Sequence, residues 1–147
     1  MIRALDHVAV AVRRMEERLA FWETLGLRCA ETRQVASEGV KVGFLPVAGV
    51  RLELLEPTGA DSPVAKFLGR RGEGIHHLCL RVDSVAAAVR DLERRGVRIV
   101  GGIRDGADGA PITFLHPRDA GGVLIELTEA PAPASGSPQG TRRLAKP

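Results

Sequence analysis

The chain has no tyrosine, one tryptophan and four phenylalanines among its 147 residues. A protein that stacks on nucleobases, or that sequesters a flat ligand, draws on aromatic faces, and this one is poorly supplied with them. Two cysteines, Cys29 and Cys79, stand far apart with no CxxC spacing. That excludes a disulfide framework and a zinc knuckle, and it fits a reducing compartment, read here as the cytoplasm. No apolar run reaches the length of a membrane span, and charged Asp6 lies within MIRALDHVAVAV, so the start reads as neither signal peptide nor anchor. Net charge is lacking too. The formal +3 resides in Arg142, Arg143 and Lys146, and the rest of the chain balances 18 basic against 18 acidic residues. A neutral body without a basic block has no electrostatic footprint for nucleic acid.

What the chain does have is an internal repeat and enough apolar residues, 44%, to bury a core. Slid on itself by 70 residues, LDHVAV (5–10) falls over IHHLCL (75–80), pairing His7 with His77 and Asp6 with His76. Met15, Leu19 and Trp22 fall over Val85, Val89 and Leu92, an i, i+4, i+7 pattern that predicts one helix in each half. Gly26 and Gly96 stop these helices, and Ser84 is placed to cap the second. Further on, Phe44 falls over Phe114, and a shift larger by three residues brings RLELLE (51–56) over LIELTE (124–129), matching Glu53 with Glu126. Each half reads as strand, helix and about three strands, with turns at Gly39, Gly49, Gly106, Gly109, Gly121 and Gly122. The expectation is an α+β fold of two tandem βαβββ modules, about 3–56 and 73–129, joined by a linker at 57–72 within one domain, 1–130. In the linker, PVAKFLGRR predicts a short helix with proline in its first turn. Residues 131–147, rich in Pro, Gly, Ser and Ala, read as a disordered tail.

Two like modules in one chain pack about a pseudo-two-fold axis, which brings matched positions together. In GEGIHHLCLRV, strand alternation allows only one of His76 and His77 to face a shared pocket. His77 has the partner in the other half, so it is assigned inward, and His76 is assigned to the face of Leu78, Leu80 and Val82. A lone strand histidine or glutamate is usually a hydrogen-bonded or solvated residue. Two matched pairs, His7 with His77 and Glu53 with Glu126, make a ligand set for a divalent ion of the cobalt, nickel, manganese or zinc kind, whose donors are nitrogen and oxygen. Cys79 shares the His77 face and is read as a small core residue.

At these residues the sequence resembles the vicinal oxygen chelate superfamily, whose paired βαβββ modules form a cup-shaped half-barrel around a metal. The stretches LDHVAVAV, DSPVAKFL…GEGIHH and FLHP…GGVLIEL resemble its methylmalonyl-CoA epimerase branch, from Ile2 to about Glu129. The resemblance implies His7, His77 and Glu126 as ligands with Glu53 fourth, one divalent cation (cobalt first, then nickel, manganese or zinc), an acyl-CoA substrate and a homodimer. It also implies interconversion of the two methylmalonyl-CoA epimers through an enolate whose charge the cation stabilises. Some members carry a catalytic glutamate where this chain has Val42, so their two-base assignment does not transfer. The matched carboxylates Glu53 and Glu126 are the expected proton carriers for the two faces. Lys66 and Arg118 are the expected contacts for the CoA phosphates, and His116, which faces Pro46 across the repeat, is expected to be structural. Competing readings are a glyoxalase I type lyase with the same ligand set, an extradiol dioxygenase and a metal-free binding protein of this fold.

Overall fold

A computed structural model describes residues 1–130. The tail expected at 131–147 lies outside the described residues. The first half runs β1 (Ile2–Ala11), α1 (Met15–Thr24), β2 (Glu31–Val35), β3 (Val40–Val47) and β4 (Val50–Pro57). Helix α2 (Pro63–Arg71) follows, then β5 (Gly74–Val82), α3 (Val85–Arg94), β6 (Ile99–Asp105), β7 (Pro111–Leu115) and β8 (Ile125–Glu129). The eight strands form one sheet in the order β2-β3-β4-β1-β5-β8-β7-β6, which curls into an open half-barrel. Its midline is the antiparallel pair β1·β5, flanked by the parallel pairs β1·β4 and β5·β8.

The register repeats across that midline. His7 pairs with Cys79 and Ala9 with His77, so positions 70 apart exchange roles about the Val8·Leu78 pair. On the flanks, Ala9 pairs with Glu53 and Cys79 with Glu126, while Phe44 and Phe114 sit opposite those two glutamates. This is the pseudo-two-fold arrangement that the repeat predicts, and it is what gathers the matched residues.

The helices form where their apolar stripes meet the sheet's outer face. Met15, Leu19 and Trp22 of α1 pack on Val12, Leu45 and Leu54, and Val85, Val89 and Leu92 of α3 pack on Val82 and Leu127. Both helices end at a glycine in the left-handed region, Gly26 and Gly96, each with φ of 81°. Ser84 caps α3 by accepting from the Ala87 amide at 3.3 Å. The residue before α1 is Arg14, which offers no cap; instead Glu56 reaches over from β4 to accept from the Met15 amide. Glu129, its counterpart on β8, accepts from the Val85 amide at 3.3 Å. In α2 the Ser62 hydroxyl accepts from the Val64 amide, with Pro63 in the first turn. Leu54, fully buried under α1, measures what this layer contributes. Leu54→Ala is expected to cost about 2–5 kcal/mol, seen as a lower melting temperature with turnover per folded molecule unchanged.

The sheet corrects one expectation. In β1 the pairing steps from Leu5·Leu80 to His7·Cys79, leaving Asp6 as an extra residue, and in β5 it steps from Ala9·His77 to Val10·Ile75, leaving His76 extra. Each is a β-bulge, and a bulge re-aims a side chain that strict alternation would send through the sheet. His76 therefore does not share the face of Leu78 and Leu80; it turns to the concave side, against Phe67 of α2.

Candidate active site

The concave face holds a cavity lined by His7, Glu53, His77 and Glu126, walled by apolar Val42, Phe44 and Leu55. The four polar residues are buried, each about 5–6% exposed, which is unusual for carboxylates unless they have partners. β1 and β5 present His7 and His77 from the midline, with Nε2 atoms 3.2 Å apart. β8 presents Glu126, whose Oε2 lies 2.8 Å from His77 Nε2 and 3.7 Å from His7 Nε2. These three donor atoms lie within 4.8 Å of one another. Donors sharing one ion at bonds of about 2.0–2.2 Å stand roughly 3–3.5 Å apart, and the observed separations bracket that spacing. The residues present fit a divalent cation.

Glu53 lines the same cavity but stands apart from the trio. Its Oε1 is 3.4 Å from His7 Nδ1, the far side of that ring, and 3.4 Å from an Arg51 Nη. Position 124, the counterpart of Arg51 in the repeat, is leucine. The two matched glutamates therefore meet different fields. Burial pushes the Glu53 carboxyl up to about 7, outweighing the pull of His7 and Arg51. Burial also opposes ionisation of Glu126, but the two imidazoles overcome it and hold this carboxyl down at about 2. For His7, burial disfavours the charge, while Asp6, Cys79, Glu126 and Glu53 together push it up to about 12. In the chain without metal, a proton thus sits among donors that a cation would neutralise. Two carboxyl groups on one cavity, driven to opposite ends of their range, are suited to different tasks.

Sequence reasoning missed the layer behind these residues. Asp6, buried, accepts from His7 Nδ1 at 3.0 Å, from Arg51 at 2.7 Å and from Arg81 Nε at 3.0 Å, and the His7 hydrogen bond, with the two guanidinium groups, holds its carboxyl well below the usual range against the opposing effect of burial. The alignment of Asp6 on His76 was the available signal, hidden because alternation sent Asp6 to the other face. The β6–β7 hairpin also reaches across the cup mouth: the Ala107 carbonyl accepts from Arg33 at 3.2 Å, Asp108 lies 3.5 Å from Arg51, and Arg104 pairs with Glu38. Cys79 is fully buried beside His7, with its thiol pushed up to about 12 by burial. His116 Nδ1 accepts from the Arg118 amide at 3.2 Å, a turn-capping contact. Lys66 and Arg118 are exposed, and neither lines the cavity. Among the described residues no helix is long and apolar enough to cross a membrane.

Comparison with known proteins agrees with this geometry. Residues 6–114 match the Glyoxalase/Bleomycin resistance protein/Dioxygenase superfamily. The human mitochondrial methylmalonyl-CoA epimerase is 43% identical over 129 residues, 86% of this chain and 73% of the human protein. A Mycobacterium tuberculosis methylmalonyl-CoA epimerase structure superposes with a TM-score of 0.84 at 38% identity, covering 90% of each chain. A Streptomyces coelicolor methylmalonyl-CoA epimerase variant in complex with 2-nitronate-propionyl-CoA gives 0.83 at 34% identity, over 90% of this chain and all of that one. The repeated βαβββ architecture, the cup and these similarities lead to one conclusion: the chain belongs to the methylmalonyl-CoA epimerase family of the glyoxalase/bleomycin resistance/dioxygenase superfamily.

Proposed function

We infer that this chain is an enzyme that interconverts (R)- and (S)-methylmalonyl-CoA. It removes the proton from the carbon between thioester and carboxylate and returns one to the opposite face. The observation that carries this reading is the convergence of His7, His77 and Glu126 inside the cup of a chain of this family. A divalent cation held by these three residues would supply Lewis acidity toward the negative charge that builds on the substrate oxygens; nitrogen and carboxylate donors suit a borderline ion such as cobalt, nickel, manganese or zinc, and the family resemblance puts cobalt first.

The chain's own residues divide the remaining work. Val42 carries no proton, so the buried carboxylates are the carriers. Glu53, held near neutrality, is able both to take a proton and to give one back at working pH. By resemblance it is the fourth ligand, yet it stands on the Nδ1 side of His7, and in this reading proton transfer is its first duty. Glu126, approaching from the opposite flank on β8, rests ionised beside the two imidazoles; it takes the proton from the second face as protonated Glu53 gives its own to the first, and gives it back in the reverse direction. The apolar wall of Val42, Phe44 and Leu55 keeps water from competing with these groups. Lys66 and Arg118, exposed outside the cavity, suit the solvent-side CoA phosphates. The homodimer of the family would cover Leu5 and Ile75, 40% and 63% exposed on the convex side of the central strands.

Supplying the purified protein in parallel with (S)-methylmalonyl-CoA and with methylglyoxal plus glutathione tests the assignment. The first is expected to equilibrate with its epimer and the second to remain unchanged. Turnover of the hemithioacetal alone would make the protein a lyase of the same superfamily.

A further inference from the structure

We propose that the two bulge residues, Asp6 and His76, are positioning residues that fix the tautomer and orientation of the two ligand imidazoles, a carboxylate doing so for His7 and an imidazole for His77. The proposal rests on the reading that His7, His77 and Glu126 hold the cation.

In a regular strand the residue before a ligand points through the opposite face and never meets it. Here both strands carry an extra residue immediately before the ligand, at positions matched by the repeat; a further step, from Ile2·Val82 to Ala4·Arg81, lies at the start of β1, away from the ligands. The consequence is the same in both halves. Asp6 Oδ2 lies 3.0 Å from His7 Nδ1, and His76 Nδ1 lies 2.8 Å from His77 Nδ1. In both, the contact is to Nδ1, and the two Nε2 atoms are left facing each other beside Glu126.

The tautomers follow from this. An imidazole that ligates through Nε2 carries its proton on Nδ1 and needs an acceptor there. For His7 that acceptor is the Asp6 carboxylate. For His77 it is His76 Nδ1, which accepts only when His76 is neutral with its own proton on Nε2.

Each acceptor is itself held. Asp6 is clamped between Arg51 and Arg81. The His76 ring lies edge-on to Phe67 at 4.9 Å between centroids and to His77 at 5.1 Å. α2, which supplies Phe67, thus reaches the metal ligands through His76.

The test is cobalt affinity by calorimetry on chelator-stripped protein, with the melting temperature of the stripped protein recorded alongside. Asp6→Asn and His76→Leu are each expected to weaken cobalt binding by about 10–100-fold. His76→Gln, whose amide oxygen accepts from His77 Nδ1–H, is expected to bind nearly as wild type does. A residue with a merely structural role would lower the melting temperature and leave the affinity of the folded fraction unchanged. His7→Ala and His77→Ala are the controls for the site. If these lose cobalt while Asp6→Asn and His76→Leu bind it like wild type, the positioning proposal is overturned and the cation site stands. Should His7→Ala and His77→Ala bind cobalt like wild type, the site reading fails and the proposal falls with it. If Asp6→Asn does not fold, because Arg51 and Arg81 lose their counter-charge, the His76 pair decides: equal losses in His76→Leu and His76→Gln overturn the proposal.

Discussion

Glu53→Gln is expected to lower epimerisation by about 10²–10⁴-fold in both directions while cobalt affinity changes little, because Glu53 stands outside the trio of donor atoms. In heavy water the variant should still wash deuterium into one epimer, through Glu126, without converting it to the other. Glu126→Gln should lose cobalt affinity and turnover together. A second consequence concerns stability. Burial raises the Glu53 carboxyl to about 7 from its ordinary 4.5, so the fold favours the protonated form. That stabilisation is fully present below about 4.5 and is lost as pH rises through about 7, with a full effect on the order of 3 kcal/mol. Melting curves of the metal-free protein should therefore show wild type weakening across this window relative to Glu53→Gln. Parallel curves for the two proteins from pH 4 to 8 would remove Glu53 from the proton-carrying role.

His77→Ala carries the other large effect. His77 supplies Nε2 to the trio and also packs edge-on against Phe114, with centroids 5.3 Å apart. Its loss removes one of the three converging donors on the midline of the sheet. Cobalt binding should disappear. Turnover should fall by roughly 10³-fold or more, because a Lewis acid contributes several kcal/mol to such a barrier. His77→Gln, closer in volume, separates the packing contribution: it should restore most of the melting temperature and little of the activity.

The repeat made much of this legible. Met15, Leu19 and Trp22, matched with Val85, Val89 and Leu92, announced two helices on the same side of the sheet, and those six side chains do cover it. The gathering of His7, His77 and Glu126 was readable because duplication gives each a counterpart, and the register brings the two histidines to the midline and Glu126 to the strand beside it. The bulges were not readable. An inserted residue leaves no mark in a doublet such as Asp6-His7 or His76-His77, and period-2 alternation assigns one member to the wrong face. The unequal fields at Glu53 and Glu126 escaped for a related reason: the repeat matches the glutamates, but Arg51 is matched by Leu124. The hairpin contacts from Ala107 and Asp108 to Arg33 and Arg51 depend on how far the sheet curls, which local pattern does not encode. Lys66 and Arg118 match phosphate by charge type alone, and charge type does not say which basic residues stand near a cavity.

The most direct test follows the interconversion of the two methylmalonyl-CoA epimers by chelator-stripped protein as cobalt is added back. Activity should be absent at the start and should rise to a plateau at one ion per chain, with His7→Ala showing no such rise. Full activity in the stripped protein, or a plateau that His7→Ala reproduces, would contradict a single cation held between the two halves.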